Sequence, residues 1–313
     1  MEDVIKVMLQ SGKSAIELAL YILLPVLVIM MALMKVVEAK GLLALVARLL
    51  QPLLRLFGVP GAGVFAMLQL LLVSFAAPLA TLSIMEKDDT SRRQIAATLA
   101  MVLAMSQANA VYPLVAVGLN LPVIMATSVA GGLIAAACTY YLFARAVDGN
   151  EQGGGESALP SAEKNRSVSL LNLMISGGQE AVQVIIGAIP LLILAIFAVN
   201  LLKVSGAISY LETFLAPLFG LIGVPPVAVL PIATKYLAGG TAMMGVTLNL
   251  VKEGAINALQ LNRMAGFIIN PCDIVGVAVL VSAGNRCSSV VKPAIAGAFV
   301  GIVIRGVLHL LIF

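Results

Sequence analysis

Two ionisable side chains lie inside long apolar stretches: Lys235, four residues before Gly239-Gly240-Thr241, and Asp273, within Asn270-Pro271-Cys272-Asp273. A charge at the centre of a bilayer costs at least ~2.5 kcal/mol, so each of these residues calls for a partner. Either they pair with one another and fix helix packing, or they form a charge pair that binds a solute or an ion. Asn270-Pro271 breaks its helix beside Asp273 and frees carbonyls able to coordinate a cation or hydrogen-bond a ligand. Ser106-Gln107-Ala108-Asn109 falls at the matching depth of an earlier segment. For Gln107 and Asn109, interhelical hydrogen bonding worth ~0.6–2 kcal/mol stands beside ligand contact. Ser74, in Ser74-Phe75-Ala76-Ala77-Pro78, and Gly239-Gly240-Thr241 interrupt two further apolar stretches. Gln69 and Thr234 precede these breaks by about one turn, as candidates for ligand contact or for polar glue in the core. The expected substrate- or ion-binding set is therefore Lys235, Asp273, Asn270, Gln107, Asn109, Ser74, Gly239, Gly240, Thr241 and Gln69, with no catalytic and no metal-ligating residue.

The elements that must hold these residues are membrane helices. The 313 residues are 61% hydrophobic and 11% charged, against about 25% charged in soluble domains. Such a chain cannot cover a water-facing surface, which excludes a soluble enzyme, a disordered chain and a disulfide scaffold. One histidine and three scattered cysteines offer no metal cluster, no nucleophile system and no cofactor motif. Arg305 is expected to pack inside the last helix or pair with an acid, His309 to lie at the interface, and Cys272 to be a small buried apolar residue. The series from Ala130 to Ala136 and from Ala296 to Gly301 is expected to serve close helix packing.

The chain is a duplication. At a constant offset of 165 residues, Gly41 aligns with Gly206, Pro52-Leu53 with Pro217-Leu218, and Gly58-Val59-Pro60 with Gly223-Val224-Pro225. Glycine and proline fix backbone punctuation, so their recurrence marks a repeated unit. The division reads 1–147 for the first unit, 148–167 for a polar Gly-rich linker, and 168–313 for the second. Each unit has an apolar span (14–36; 181–202), an amphipathic segment (42–57; 207–222), a broken stretch (62–85; 227–249) and two more spans (94–117 and 122–145; 264–284 and 292–312). At this offset Leu70 and Ala108 stand where the second unit has Lys235 and Asp273.

If the broken stretches cross the membrane, the loops carry seven basic residues inside and ten outside. If they are re-entrant hairpins, the second unit is inverted and the count becomes twelve against five, which agrees with the positive-inside tendency. The expected fold is all-α and integral to the membrane: an inverted repeat, each unit with three transmembrane helices, one re-entrant hairpin and one interfacial helix.

The pattern Gly41, Pro52-Leu53-Leu54, Leu56, Gly58-Val59-Pro60, a small-residue-rich broken helix and the loop from Glu86 to Arg93 resembles the Gate domain, also called the nucleoside recognition domain. That domain occurs in spore maturation proteins A and B, in the ferrous iron transporter B and in relatives of concentrative nucleoside transporters. The second unit repeats the pattern at Gly206, Pro217-Leu218, Leu221 and Gly223-Val224-Pro225, so the chain resembles spore maturation proteins A and B fused in tandem. It lacks the P-loop that accompanies the iron transporter's Gate domains.

The resulting expectation is a non-enzymatic, multi-pass protein of the bacterial cytoplasmic (inner) membrane that acts as a secondary transporter. A small-molecule solute or ion is its ligand, held between two broken-helix hairpins, and the lipid bilayer and a homo-oligomer are its other partners, with no nucleic acid. The alternatives are a non-transporting scaffold or assembly factor, and a lipid translocator.

Overall fold

The computed structural model describes residues 2–88, 90–145, 147, 169–206, 210, 220 and 223–313. The expected linker 148–167 and most of the second interfacial segment, 207–222, lie outside the described residues. All regular structure among the described residues is helical. Six helices are long and apolar enough to cross a membrane: Val4–Ala39 (α1), Arg92–Val115, Leu121–Phe143 (α7), Leu170–Leu202 (α8), Pro226–Lys252, whose helix Val229–Lys252 is α9, and Val291–Ile312 (α13). This is a multi-pass membrane protein.

Local sequence explains where the helices bend. Leu42–Phe57 (α2) meets Gly61–Val73 (α3) at 112°, because Gly58 at φ 77° and Pro60 in the extended region end one helix and start the next. Gly223 in the second unit has the same left-handed backbone as Gly58, at φ 73°, and Gly41 and Gly206 also match at φ 73° and 74°. The left-handed region is open to glycine without the steric penalty of a Cβ. α3 stops at Ser74, whose backbone is extended, and Pro78–Lys87 (α4) starts on its proline. In the second unit the corresponding residue is Gly239, at φ 85° and ψ 175°, inside α9.

The span Arg92–Val115 is broken as well, into Arg92–Ala104 (α5) and Ala108–Val115 (α6). Its partner in the second unit is Ala258–Ile268 (α10) and Ile274–Val281 (α11), followed by the short helix Asn285–Ser289 (α12). The 264–284 span thus begins earlier and is two half-helices. Capping boxes start both broken spans, Ser91 with Gln94 and Asn257 with Gln260. These caps are 166 residues apart, so the second unit holds one more residue between its hairpin break and its capping box. The outer spans 14–36 and 181–202 are longer than read from sequence, running over 36 and 33 residues.

Contacts sort the connections into two ends. The ring of Tyr140 lies against Gly58 and under the Arg93 guanidinium at 4.1 Å, and the Tyr141 hydroxyl donates to the Leu56 carbonyl at 2.8 Å. Arg286 donates to the carbonyls of Asp88 at 3.0 Å and Glu86 at 3.3 Å. Residues 56–61, 86–88, 90–93, 140–141 and 284–287 therefore share one end. At the other end Asn262 donates to the Gly118 carbonyl at 2.8 Å, Gly223 faces the Arg263 guanidinium, and Lys252 pairs with Glu17 at 2.7 Å. The arms α3 and α4 pack on each other and leave from and return to the first end. The segment from Gly223 to Lys252 begins and finishes at the second end.

Candidate functional site

The two broken spans meet around a single cation. Arg305 of α13 has no exposed surface, and its Nη1 donates to the carbonyl of Ala104, at the end of α5, and to that of Ile269, at the end of α10, at 3.1 Å. Its Nη2 donates to the Ser106 hydroxyl, which itself donates to the Ile269 carbonyl at 3.2 Å. Helix C-termini carry unpaired carbonyls and partial negative charge, so a guanidinium suits both. Among the described residues no acid pairs with Arg305; it packs inside the last helix, where carbonyl dipoles stabilise its charge. Gly131 and Gly301 make room for it, since a Cβ on Gly131 would lie 2.2 Å from Arg305 Cγ and one on Gly301 2.4 Å from the Gly131 carbonyl oxygen.

Four residues further on, His309 is fully buried. It bonds the Thr127 hydroxyl at 2.9 Å and the Asn262 carbonyl at 2.6 Å. A buried carbonyl and hydroxyl on neighbouring helices hold the ring inward, at the end of the molecule that Asn262 shares with Gly118.

Beyond the two breaks the half-helices α6 and α11 begin, with Gln107 and Asp273 as their N-cap residues. These two are 166 residues apart, matching the capping boxes. The structural counterpart of Asp273 is therefore Gln107, in place of Ala108. Asp273 Oδ1 accepts the Gly276 N–H at 2.7 Å, while Oδ2 receives Lys235 Nζ in an ion pair with 0% and 3% of the two side chains exposed. Lys235 and Asp273 do meet, and the Gly276 N–H and Lys235 together occupy both carboxylate oxygens.

Gln107, Asn109, Gly239, Gly240, Thr241 and Asp273 line one cavity of about 60 Å³. Phe75 from the first hairpin break, Leu191 of α8 and Ala238, Pro271, Val275 and Gly276 complete its wall. At ~30 Å³ per water this space holds about two waters or one small group. The Gln107 amide presses on the second hairpin, for a Cβ on Gly240 would lie 2.4 Å from its Nε2. Asn109 Oδ1 is buried with no hydrogen-bond partner among the described residues. The positive ends of two half-helix dipoles, an amide, an unpaired carbonyl oxygen and a carboxylate thus converge on one small space, where they can bind a polar group.

The other candidates lie outside this lining. Gln69 donates to Glu38 at 3.0 Å and accepts from the Thr81 hydroxyl at 2.7 Å, tying the first hairpin's arms together and to α1. Asn270 donates to the Phe267 carbonyl at 2.8 Å and accepts the Cys272 N–H at 3.0 Å, holding the break it creates. Ser74 Oγ is buried without a hydrogen-bond partner among the described residues at the first hairpin break, and Thr234 is buried in α9. Sequence reading missed Leu191 and Pro271 as walls and Arg305 as the bridge; a third charge in an apolar span was the available signal.

Residues 20–120 match the Gate family, described as nucleoside recognition. The chain is similar to Gate-domain membrane proteins, as the glycine–proline pattern implied. It is 30% identical over 86 residues to spore maturation protein B of Bacillus subtilis (strain 168), covering 28% of this chain and 48% of that one. The chain thus matches about half the length of this curated relative. Among solved structures it resembles CNTnw in an inward-facing substrate-bound state, with TM-score 0.68 and 19% identity over 92% of this chain and 74% of that one. A substituted CNTnw in an outward-facing state matches at TM-score 0.68 and 20% identity over 93% and 75%. The intermediate 2 state gives 0.63 and 18% over 94% and 77%. At these identities the likeness establishes a shared fold alone.

Proposed function

We propose that this protein is a secondary transporter of the bacterial cytoplasmic membrane that binds a small polar solute or ion in the cavity between the broken spans and the second hairpin. The observation that carries this reading is the convergence of Gln107, Asn109, Thr241 and Asp273 on one cavity, with the Asn109 carbonyl oxygen unpaired. A buried acceptor without a partner costs ~1–3 kcal/mol, which a ligand donor would recover. Lys235 is ion-paired with the Asp273 carboxylate at the wall. The Gate description, nucleoside recognition, and the substrate-bound CNTnw likeness support nucleosides as the first solutes to test. The cavity of about 60 Å³ is then a closed form that widens on hairpin movement.

Similarity to spore maturation protein B favours a second reading, a non-transporting membrane assembly factor. Thermal stabilisation of the purified chain by nucleosides, amino acids, dipeptides and carboxylates, with and without sodium, separates the two. A transporter is stabilised by one class in a manner lost in Asn109→Ala. Absence of stabilisation by every class, together with no uptake in proteoliposomes, supports the assembly factor.

A further inference from the structure

On the far side of residues 271–277 from the polar cavity runs a second hollow of about 540 Å³. It is lined by Tyr236 of α9, by Cys272, Ile274 and Val277 beside α11, and by Ile295 and Phe299 of α13, with Ile302 at its end. Asp273 is the one residue common to both linings. Along α13 the positions 295, 299 and 302 fall on one helix face, about 10 Å long at 1.5 Å per residue. The mouth is open: Tyr236 is 40%, Phe299 65% and Ile274 72% exposed. Tyr236 lies within the span Pro226–Lys252 and Phe299 near the middle of the span Val291–Ile312, which sets the mouth at hydrocarbon depth.

A concave apolar space does not hold water, and left empty it forfeits the dispersion contacts of its whole lining. At ~30 Å³ per water-sized group it admits on the order of eighteen such groups, the scale of one hydrocarbon chain. We infer that this groove is a lipid site, filled by one acyl chain of a bilayer lipid lodged between the second hairpin, the half-helix α11 and the last span. The chain packs on Tyr236, one residue from Lys235, and on the segment that carries Asp273. The lipid therefore buttresses the element that must move if the neighbouring cavity is to open. The inference stands on the groove alone and holds whether or not the polar cavity binds a solute.

The chain contains no tryptophan, so a single introduced one reports without background. Phe299→Trp in the full chain, in detergent micelles, is titrated with phosphatidylcholine brominated on its acyl chains, so that lipid competes with detergent for the groove. Leu311→Trp, at a residue 77% exposed on the same helix, serves as the annular reference. The expected result is half-maximal quenching of Phe299→Trp at a several-fold lower mole fraction of brominated lipid than for Leu311→Trp. Adding Ala278→Phe, which fills the groove, should bring the two curves together. Coincident curves without that change, or preferential quenching that survives it, overturn the proposal. Should Phe299→Trp fail to fold, Ile295→Trp makes the same comparison.

Discussion

Ala104 and Ile269, 165 residues apart in the chain, present their carbonyls to the same guanidinium nitrogen of Arg305. The last span thereby clamps the ends of half-helices from both units, and the N-caps just beyond them, Gln107 and Asp273, face one cavity. Arg305→Met leaves two buried carbonyls and the Ser106 hydroxyl short of a donor, at an expected cost of at least ~2 kcal/mol. Arg305→Lys keeps the charge without the planar fork and should fall between. Denaturant unfolding in detergent measures both, and an Arg305→Met variant as stable as the parent would show that the clamp holds nothing.

For Lys235 and Asp273, removal of one partner strands a buried charge. Lys235→Met and Asp273→Asn should each cost ~3–5 kcal/mol, and the double change should recover most of it. If the pair also serves the cavity, the double variant is folded yet loses solute-dependent stabilisation. Small additive single effects would contradict an energetic pair.

Gly240→Ala tests the hairpin against the opposing unit. The added methyl would lie 2.4 Å from Gln107 Nε2, so Gln107 must move out of the cavity wall. We expect solute affinity to drop by tenfold or so, equivalent to ~1.4 kcal/mol, and Gln107→Ala to restore part of the loss in the double variant. Equal affinities for Gly240→Ala and the parent would place Gln107 outside the site.

At the loop end, Glu86 accepts the N–H groups of Arg286 and Cys287 at 2.6 and 2.9 Å. Burial, and then the Glu86 carboxylate, push the Cys287 thiol up to about 12. A raised thiol favours the neutral form in the folded protein, so its contribution to stability is full below the ordinary thiol range near 9 and fades as pH rises towards 12. Alkylation of Cys287 should be slow at pH 8 in the folded chain and rapid once it is unfolded. Glu86→Gln should speed it in the folded state. Fast alkylation of the folded parent at pH 8 would contradict this environment.

Much of this architecture is legible in the sequence because it is written in residues with few substitutes. Gly41, Gly58, Gly206 and Gly223 take left-handed backbone that other residues resist, and Pro78 and Gly239 mark the hairpin breaks. A Lys and an Asp in apolar spans have strong reason to meet, and they do. Arg305 was harder, since its partners are backbone carbonyls, which every residue has and no sequence pattern marks. Asn270 and Gln69 show the converse. Their polar side chains look available in sequence, yet adjoining N–H, carbonyl and hydroxyl groups occupy them. The counterpart of Asp273 was displaced by one residue because a single added residue before the second capping box is invisible to an ungapped comparison.

The most direct test of a solute site is protection of Thr241→Cys from alkylation, in a chain whose Cys138, Cys272 and Cys287 are replaced by serine or alanine. Thr241 lines the cavity beside Gly240 and Asp273. Concentration-dependent protection by one solute class, lost when Asn109→Ala is added, is the expected result. Modification at the same rate whatever solute is present, including solutes shown by uptake to be carried, would contradict a binding site in this cavity.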